Sequence, residues 1–271
     1  MFNFLHNNIP QAVALSLGPV TIYWYGIFIV LGALAGIFVA IRLAKKIGFT
    51  SDDVYNIAFY VVISGIIGAR VYAVMLEYQY YLANPTEIIA VWHGGLAIHG
   101  AIIGGALATL IYCYQKKQSI LAWADIAAPA LALAQAIGRW GNYFNQEIFG
   151  TPTNLPWGIP IQEQFRPLLY KTATHFHPTF LYESILNLIN FVVLFFLFFK
   201  LKNTKLRGAI FLVYLINYSL IRIAMEFLRT DSTLVLAGIR LPILVSGGLI
   251  LISTMILLKM YLTVKTDKNY N

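Results

Sequence analysis

Apolar residues run along this chain in long stretches separated by short polar segments. The pattern has neither the alternation of a half-buried strand nor the narrow stripe of a surface helix. A helix needs roughly 20 apolar residues to cross the hydrocarbon of a bilayer. Seven windows meet that length, at about 20–43, 54–76, 90–114, 119–137, 178–200, 207–228 and 240–262. The pattern predicts an all-α, polytopic membrane protein with about seven transmembrane helices, folded as a single membrane-embedded domain over residues 1–271. The fourth window is the weakest, because Asp125, Pro129 and Gln135 interrupt it. Gly32 and Gly36, Gly65 and Ala69, and Gly100 and Gly104 stand one turn apart, a spacing that lets helix backbones approach closely in lipid.

Composition supports the same class. Only 11% of residues are charged, against about 25% in soluble domains, too few to cover a water-facing surface. The net charge of +8 does not indicate nucleic acid, because the basic residues lie in short clusters between apolar runs. Arg42, Lys45, Lys46, Lys116, Lys117, Lys200, Lys202, Lys205, Arg207, Lys259, Lys265 and Lys268 fall on one side of the predicted membrane. Arg139, Arg166, Lys171, Arg222, Arg229 and Arg240 fall on the other, and Arg70 lies within a span. The excess of Lys and Arg marks the cytoplasmic face. The N-terminus is thus expected outside and the C-terminus inside, in agreement with an odd number of spans. No basic residue precedes Arg42, so a cleavable signal peptide is not expected. The lone Cys113 excludes an internal disulfide and a multi-cysteine metal site. Residues 1–19 read as an external arm lying in the interface plane, and about 139–177 as an external loop region that packs on the bundle and shapes a site.

Ionisable groups inside lipid cost about 2.5–3.5 kcal/mol each on insertion scales, so several of them together need a reason. Placed by depth, Tyr25, Arg70, His93, His99, Arg139, Asn142, His177, Arg222, Glu226 and Arg229 all converge on the outer leaflet. Asp125 is the exception, near the inner end of the fourth span. Several arginines at one depth suggest an anion, since the guanidinium keeps its charge and its fork suits phosphate. Glu226 lies four residues after Arg222, on the same helical face, where it can orient or partly neutralise that guanidinium. The alternative is that Arg222, Glu226 and Arg229 are only an ion-paired helix end. His93 and His99 are six residues apart and do not share a face, which argues against a paired metal site. His99 is open to two readings, a proton carrier or a structural hydrogen-bonder. P-loop, HExxH, GxSxG and CxxC patterns are all absent from the sequence.

The run Gly138-Arg139-Trp140-Gly141-Asn142-Tyr143-Phe144-Asn145-Gln146-Glu147 crowds polar side chains just past the fourth window. It resembles the signature of bacterial prolipoprotein diacylglyceryl transferases. Trp24-Tyr25-Gly26, Gly68-Ala69-Arg70, Gly94 to Gly100, His177-Pro178 with Leu181-Tyr182-Glu183, and Arg222 to Arg229 resemble the same family in the same order. Tyr143 stands where Phe is common and Gln146 where Gly is frequent.

The resemblance implies transfer of the diacylglyceryl group of phosphatidylglycerol to the thiol of a cysteine. That cysteine lies in the lipobox that follows the signal helix of a prolipoprotein. A thioether forms and glycerol 1-phosphate is released, the first step of lipoprotein maturation, in the bacterial cytoplasmic membrane. It implies no metal and no nucleotide. It makes His99 the candidate base with Tyr25 as a relay, and Arg139 and Arg222 the groups that stabilise the phosphate. Asn142, Asn145, Glu147 and Gly150 would bind the headgroup or orient the arginines, with Glu226 fixing Arg222 and Arg70 holding its helix to the site. Two other readings stay open. An organic-anion transporter would share the arginines but usually shows repeats and a midplane site. A non-catalytic lipid-binding scaffold would tolerate loss of His99.

Overall fold

A computed structural model of the chain describes residues 2–18, 20–231 and 233–269; the Lys268 side chain, and Met1 and Pro19 of the N-terminal arm, lie outside it. In chain order the elements are α1 (Phe2–Asn7), β1 (Val13–Leu17), β2 (Val20–Tyr23), α2 (Trp24–Lys45), α3 (Ser51–Leu76), α4 (Tyr78–Ala83), α5 (Ile98–Lys116) and α6 (Ile120–Phe144). They continue with β3 (Ile159–Pro160), β4 (His175–Phe176), α7 (Thr179–Leu201), α8 (Ala209–Glu226), β5 (Val235–Leu236), β6 (Ile239–Arg240) and α9 (Leu241–Asn269). Seven of the helices, α2, α3, α5, α6, α7, α8 and α9, are long and apolar enough to cross a membrane. The expected number of spans is therefore present.

Three features differ from expectation. The chain is mostly helical but not all-α, because three short antiparallel ribbons, β1–β2, β3–β4 and β5–β6, lie between helices. The third span begins at Ile98, not near residue 90, because Gly94 and Gly95 adopt φ of 90° and 66° and break the helix. His93 accordingly sits in a 3₁₀ turn, exposed and paired with Glu87 at 2.9 Å. The fourth span continues to Phe144, so Arg139 and Asn142 lie inside the helix and do not follow it. The polar run up to Phe144 is part of the last helical turns rather than a helix boundary.

The chain falls into two compact units, Ile41–Trp123, and Met1–Ala40 together with Ala124–Asn271. In the smaller unit, α3 and α5 pack backbone to backbone. A Cβ on Gly68 would meet the Gly100 carbonyl, and one on Gly104 would meet the Ser64 carbonyl, closer than van der Waals contact. Thr50 caps α3 through a reciprocal capping box with Asp53. Arg70 is buried and spends all five N–H donors on backbone carbonyls. Nε binds Ile88, Nη1 binds Gly94 and Gly95 at 2.6 and 2.8 Å, and Nη2 binds Glu87 and Ala90. This one side chain organises the irregular stretch that leads into α5.

In the larger unit, Gly32 and Gly36 of α2 lie against the Ala134 and Ala130 carbonyls of α6. Buried Asp125, which weakened the fourth window, accepts the Gly208 and Phe211 N–H groups at 2.6 and 3.0 Å and so caps the start of α8. The connection 145–178 shares a core with α1, the end of α6 and the start of α7. Leu5, Tyr143, Phe149, Ile159, Ile161, Phe176, Phe180 and Leu181 are buried together. That core makes the long loop a rigid wall rather than a linker.

Candidate active site

The end of α6 and the turn beyond it are built from the polar run. Arg139 and Asn142 are one turn apart, and Arg139 Nη1 donates to Asn142 Oδ1 at 3.3 Å. Asn142 Nδ2 donates to Glu147 Oε1 at 2.7 Å. The chain turns back through Gln146 and Ile148, at φ of 52° and 56°. A β-branched residue at positive φ is a backbone outlier, and such strain persists only where surrounding contacts hold it. Here Thr179 Oγ1 donates to the Ile148 carbonyl. Gln146 bridges the Pro10 carbonyl and the Gln162 N–H at 2.9 and 2.8 Å. Its left-handed backbone is a conformation that glycine adopts without strain.

Gly150 sits at a close approach. Its N–H donates to the His177 carbonyl at 2.9 Å, and an added Cβ would lie 2.8 Å from His177 Cβ. The next residue, Thr151, binds the Leu228 carbonyl at 2.8 Å. Gly150 thus ties the turn to the start of α7 and to the end of α8. Burial lowers the His177 pKa below the usual imidazole value, which favours the neutral ring.

Four arginines share three carboxylates around these elements. Arg139 of α6 pairs with Glu183 of α7 at 2.5 Å, and Arg229 lies 4.0 Å from the same carboxylate. Arg229 also forks onto Asp231 at 2.8 and 3.0 Å. Arg222 and Arg240 hold the two oxygens of Glu226, each at 2.9 Å. Burial would raise the Asp231 carboxyl, but the Arg229 fork outweighs it and holds the pKa below the usual range. Glu226 is fully buried and Glu183 nearly so, which is tolerable only because each is paired.

The arginines differ in how their donors are spent. Arg240 is consumed by Thr233, Glu226 and the Arg229 and Asp231 carbonyls, so it is a clamp. Arg229 is held by Asp231 and Glu183. Arg222 keeps Nη1 buried with no hydrogen-bond partner among the described residues, a costly state unless something polar meets it. Among the described residues Arg139 is engaged through Nη1 and Nη2 alone, and it is partly exposed. Arg139 and Arg222 thus have N–H to spare, and Arg229 also keeps Nη1 4.0 Å from Glu183, beyond hydrogen-bond distance.

Tyr25 belongs with this group. An added Cβ on Gly141 would lie 2.6 Å from the Tyr25 ring, so that glycine admits the ring against α6. Its hydroxyl lies within electrostatic reach of Glu147 and Arg139. The larger unit therefore gathers Tyr25, Arg139, Asn142, Glu147, Gly150, Arg222 and Glu226. Asn145, in the turn after α6, makes no side-chain bond among the described residues. His99 and Arg70 belong to the smaller unit. His99 is the second residue of α5, exposed, with its ring 5.9 Å from that of Tyr72. Sequence reasoning assigned no role to Glu183, Asp231 or Arg240. Glu183 carried a signal, being an acid in the first turns of an apolar helix opposite unpaired arginines.

A family model described as prolipoprotein diacylglyceryl transferase matches residues 12–259. This chain belongs to the prolipoprotein diacylglyceryl transferase family. It is 45% identical over 240 residues to the phosphatidylglycerol–prolipoprotein diacylglyceryl transferase of Synechococcus elongatus, covering 88% of this chain and 83% of that protein. The Acaryochloris marina enzyme of the same name is 47% identical over 229 residues, covering 84% and 83%. That of Staphylococcus aureus is 42% identical over 255 residues, covering 93% and 88%. In this prolipoprotein diacylglyceryl transferase family member, the matched span takes in the whole arginine–carboxylate network.

Proposed function

We propose that this protein transfers the diacylglyceryl group of phosphatidylglycerol to the lipobox cysteine of prolipoproteins. The observation that carries the reading, within a chain 42–47% identical to enzymes of that name, is the unspent donors of Arg139 and Arg222 beside a strained polar turn. The substrate thiol loses its proton to a base, His99, with Tyr25 as relay. The sulfur attacks glycerol C3, the carbon–oxygen bond breaks, and the bridging oxygen leaves with its electron pair on glycerol 1-phosphate. The base then returns its proton to that phosphate or to water. Charge grows on the phosphate as the bond breaks, so forks aimed there act most in the transition state.

Glu183 and Glu226 hold the two forks, and Asn142, Asn145 and Glu147 meet the headgroup hydroxyls or orient Arg139. Gly150 keeps the turn against α7 and α8. Arg70 acts through the backbone before α5 and fixes where His99 stands. The protein lies in the bacterial cytoplasmic membrane as a single domain, N-terminus outside, C-terminus inside. The excess of Lys and Arg on one side supports this placement and puts the arginine site toward the opposite, external side.

Purified protein in detergent, given phosphatidylglycerol and a peptide with one lipobox cysteine, should add one diacylglyceryl mass to the peptide. The gain should vanish when that cysteine is serine. No gain from folded protein across several phospholipids would remove the transferase reading and favour anion transport.

A further inference from the structure

The β1–β2 hairpin has an unusual surface. Its register pairs Leu15 with Ile22 and Leu17 with Val20, while Ser16 pairs with Thr21. Residues paired directly across an antiparallel ribbon share a face. One face is therefore wholly aliphatic, while the other carries Ser16 and Thr21 next to the Val13–Tyr23 pair. The aliphatic face is uncovered, with Leu17 and Val20 at 62% and 58% exposure. Among the described residues the ribbon has two strands only, so each strand also has an edge that no other strand pairs. A free, apolar edge strand is a template for pairing and is normally blunted by charge, proline or a cover. No charged residue lies between Met1 and Tyr25.

Consider what can cover such a ribbon. Lipid tails satisfy the aliphatic face but leave the edge N–H and C=O groups unmet, which is costly in hydrocarbon. Water satisfies the edges but leaves the aliphatic face wet. An extended apolar peptide satisfies both, through main-chain pairing at the edge and side chains on the face. The ribbon is also continuous with the site. Tyr23 ends β2, Trp24 begins α2, and the Tyr25 ring follows against Gly141 of α6.

We infer that the outer edge of β2 receives the acceptor substrate as a third strand. The extended segment next to the acceptor cysteine pairs with it, and the direction of β2 delivers the thiol toward Tyr25. This rests on the transferase reading and adds how the peptide is held. The lipid donor is bound elsewhere, by the arginines, so peptide and lipid affinities separate.

The test uses full-length protein in detergent, saturating phosphatidylglycerol, and acceptor peptides N-methylated at one backbone position at a time. An edge strand uses every second N–H. Methylation at alternate residues should raise the peptide KM about 3- to 10-fold each, the worth of one hydrogen bond, with kcat unchanged and intervening positions silent. The double variant Leu15→Ser with Ile22→Ser should likewise raise the peptide KM and leave that for phosphatidylglycerol alone. An absent or uniform methylation effect would overturn the inference. So would a double variant that weakens only lipid use, which would make the ribbon a bilayer seat. A change confined to oligomeric state would overturn it too, leaving the edge as a contact between copies. Failure of the transferase reading shows separately, as no mass gain with the unmethylated peptide.

Discussion

A guanidinium has five N–H donors, and where they go decides what an arginine can do. Arg70 has none left, and its role is to shape the backbone before α5. Arg240 is spent on Glu226, Thr233 and two carbonyls. Arg222 and Arg139 have donors in reserve. Glu226 serves two of these arginines at once from a fully buried position. Glu226→Gln should therefore cost stability as well as activity, about 3–5 kcal/mol for an uncompensated buried charge, read as a lowered thermal midpoint in detergent. A midpoint equal to that of the unaltered protein would show that the pair carries no load. Cys113, buried in α5, should be dispensable. Cys113→Ala should turn over within about twofold of the unaltered protein, as expected for a small core residue; a dead variant would make it the nucleophile. Asp231 gives a pH signature. Its carboxyl is held below the ordinary range, so its stabilising effect is complete above that range and fades as pH falls through the depressed value. In Asp231→Asn, part of the acid-side slope of stability should disappear; an unchanged slope would contradict the assigned fork.

Helices were the most legible elements, because bilayer thickness imposes their length on the sequence. Their ends were less so. The third span starts late because two glycines with positive φ break it, and Arg70 carries that break from a distance of 17 to 25 residues in sequence. The fourth runs long because Arg139 and Asn142 face other polar groups, so polarity did not mean an end. Ribbons of two to five residues carry almost no periodic signal, so β1 reads in the sequence as part of an interfacial arm and β2 as the start of the first span, which begins only at Trp24. The paired glycines were legible as contact points, and they seat α3 on α5. Gly104→Leu should force those backbones apart and cost about 1–3 kcal/mol as an overpacked contact. A thermal midpoint unchanged by that substitution would contradict the close approach.

At the scale of the whole molecule, the candidate site was legible as a depth rather than as contacts. Sequence placed the polar residues near one leaflet, named Arg139 and Arg222 and paired Arg222 with Glu226, while Glu183 on α7, the partner of Arg139, needed three dimensions to find. The orientation proposed from charge bias has a direct check. An accessibility tag at residue 118 should read cytoplasmic and one at 155 external, and the reverse pair would invert the protein in its membrane. The central claim is that a guanidinium fork on α6, held by Glu183, stabilises the departing phosphate. Its most direct test is the rate of peptide lipidation by purified Arg139→Lys, followed by mass spectrometry at saturating phosphatidylglycerol and peptide. Lysine keeps the charge but loses the fork, so the rate should fall about 100-fold or more, as when a transition-state donor is removed, with the fold intact. Turnover equal to that of the unaltered protein would mean that the phosphate is not held there.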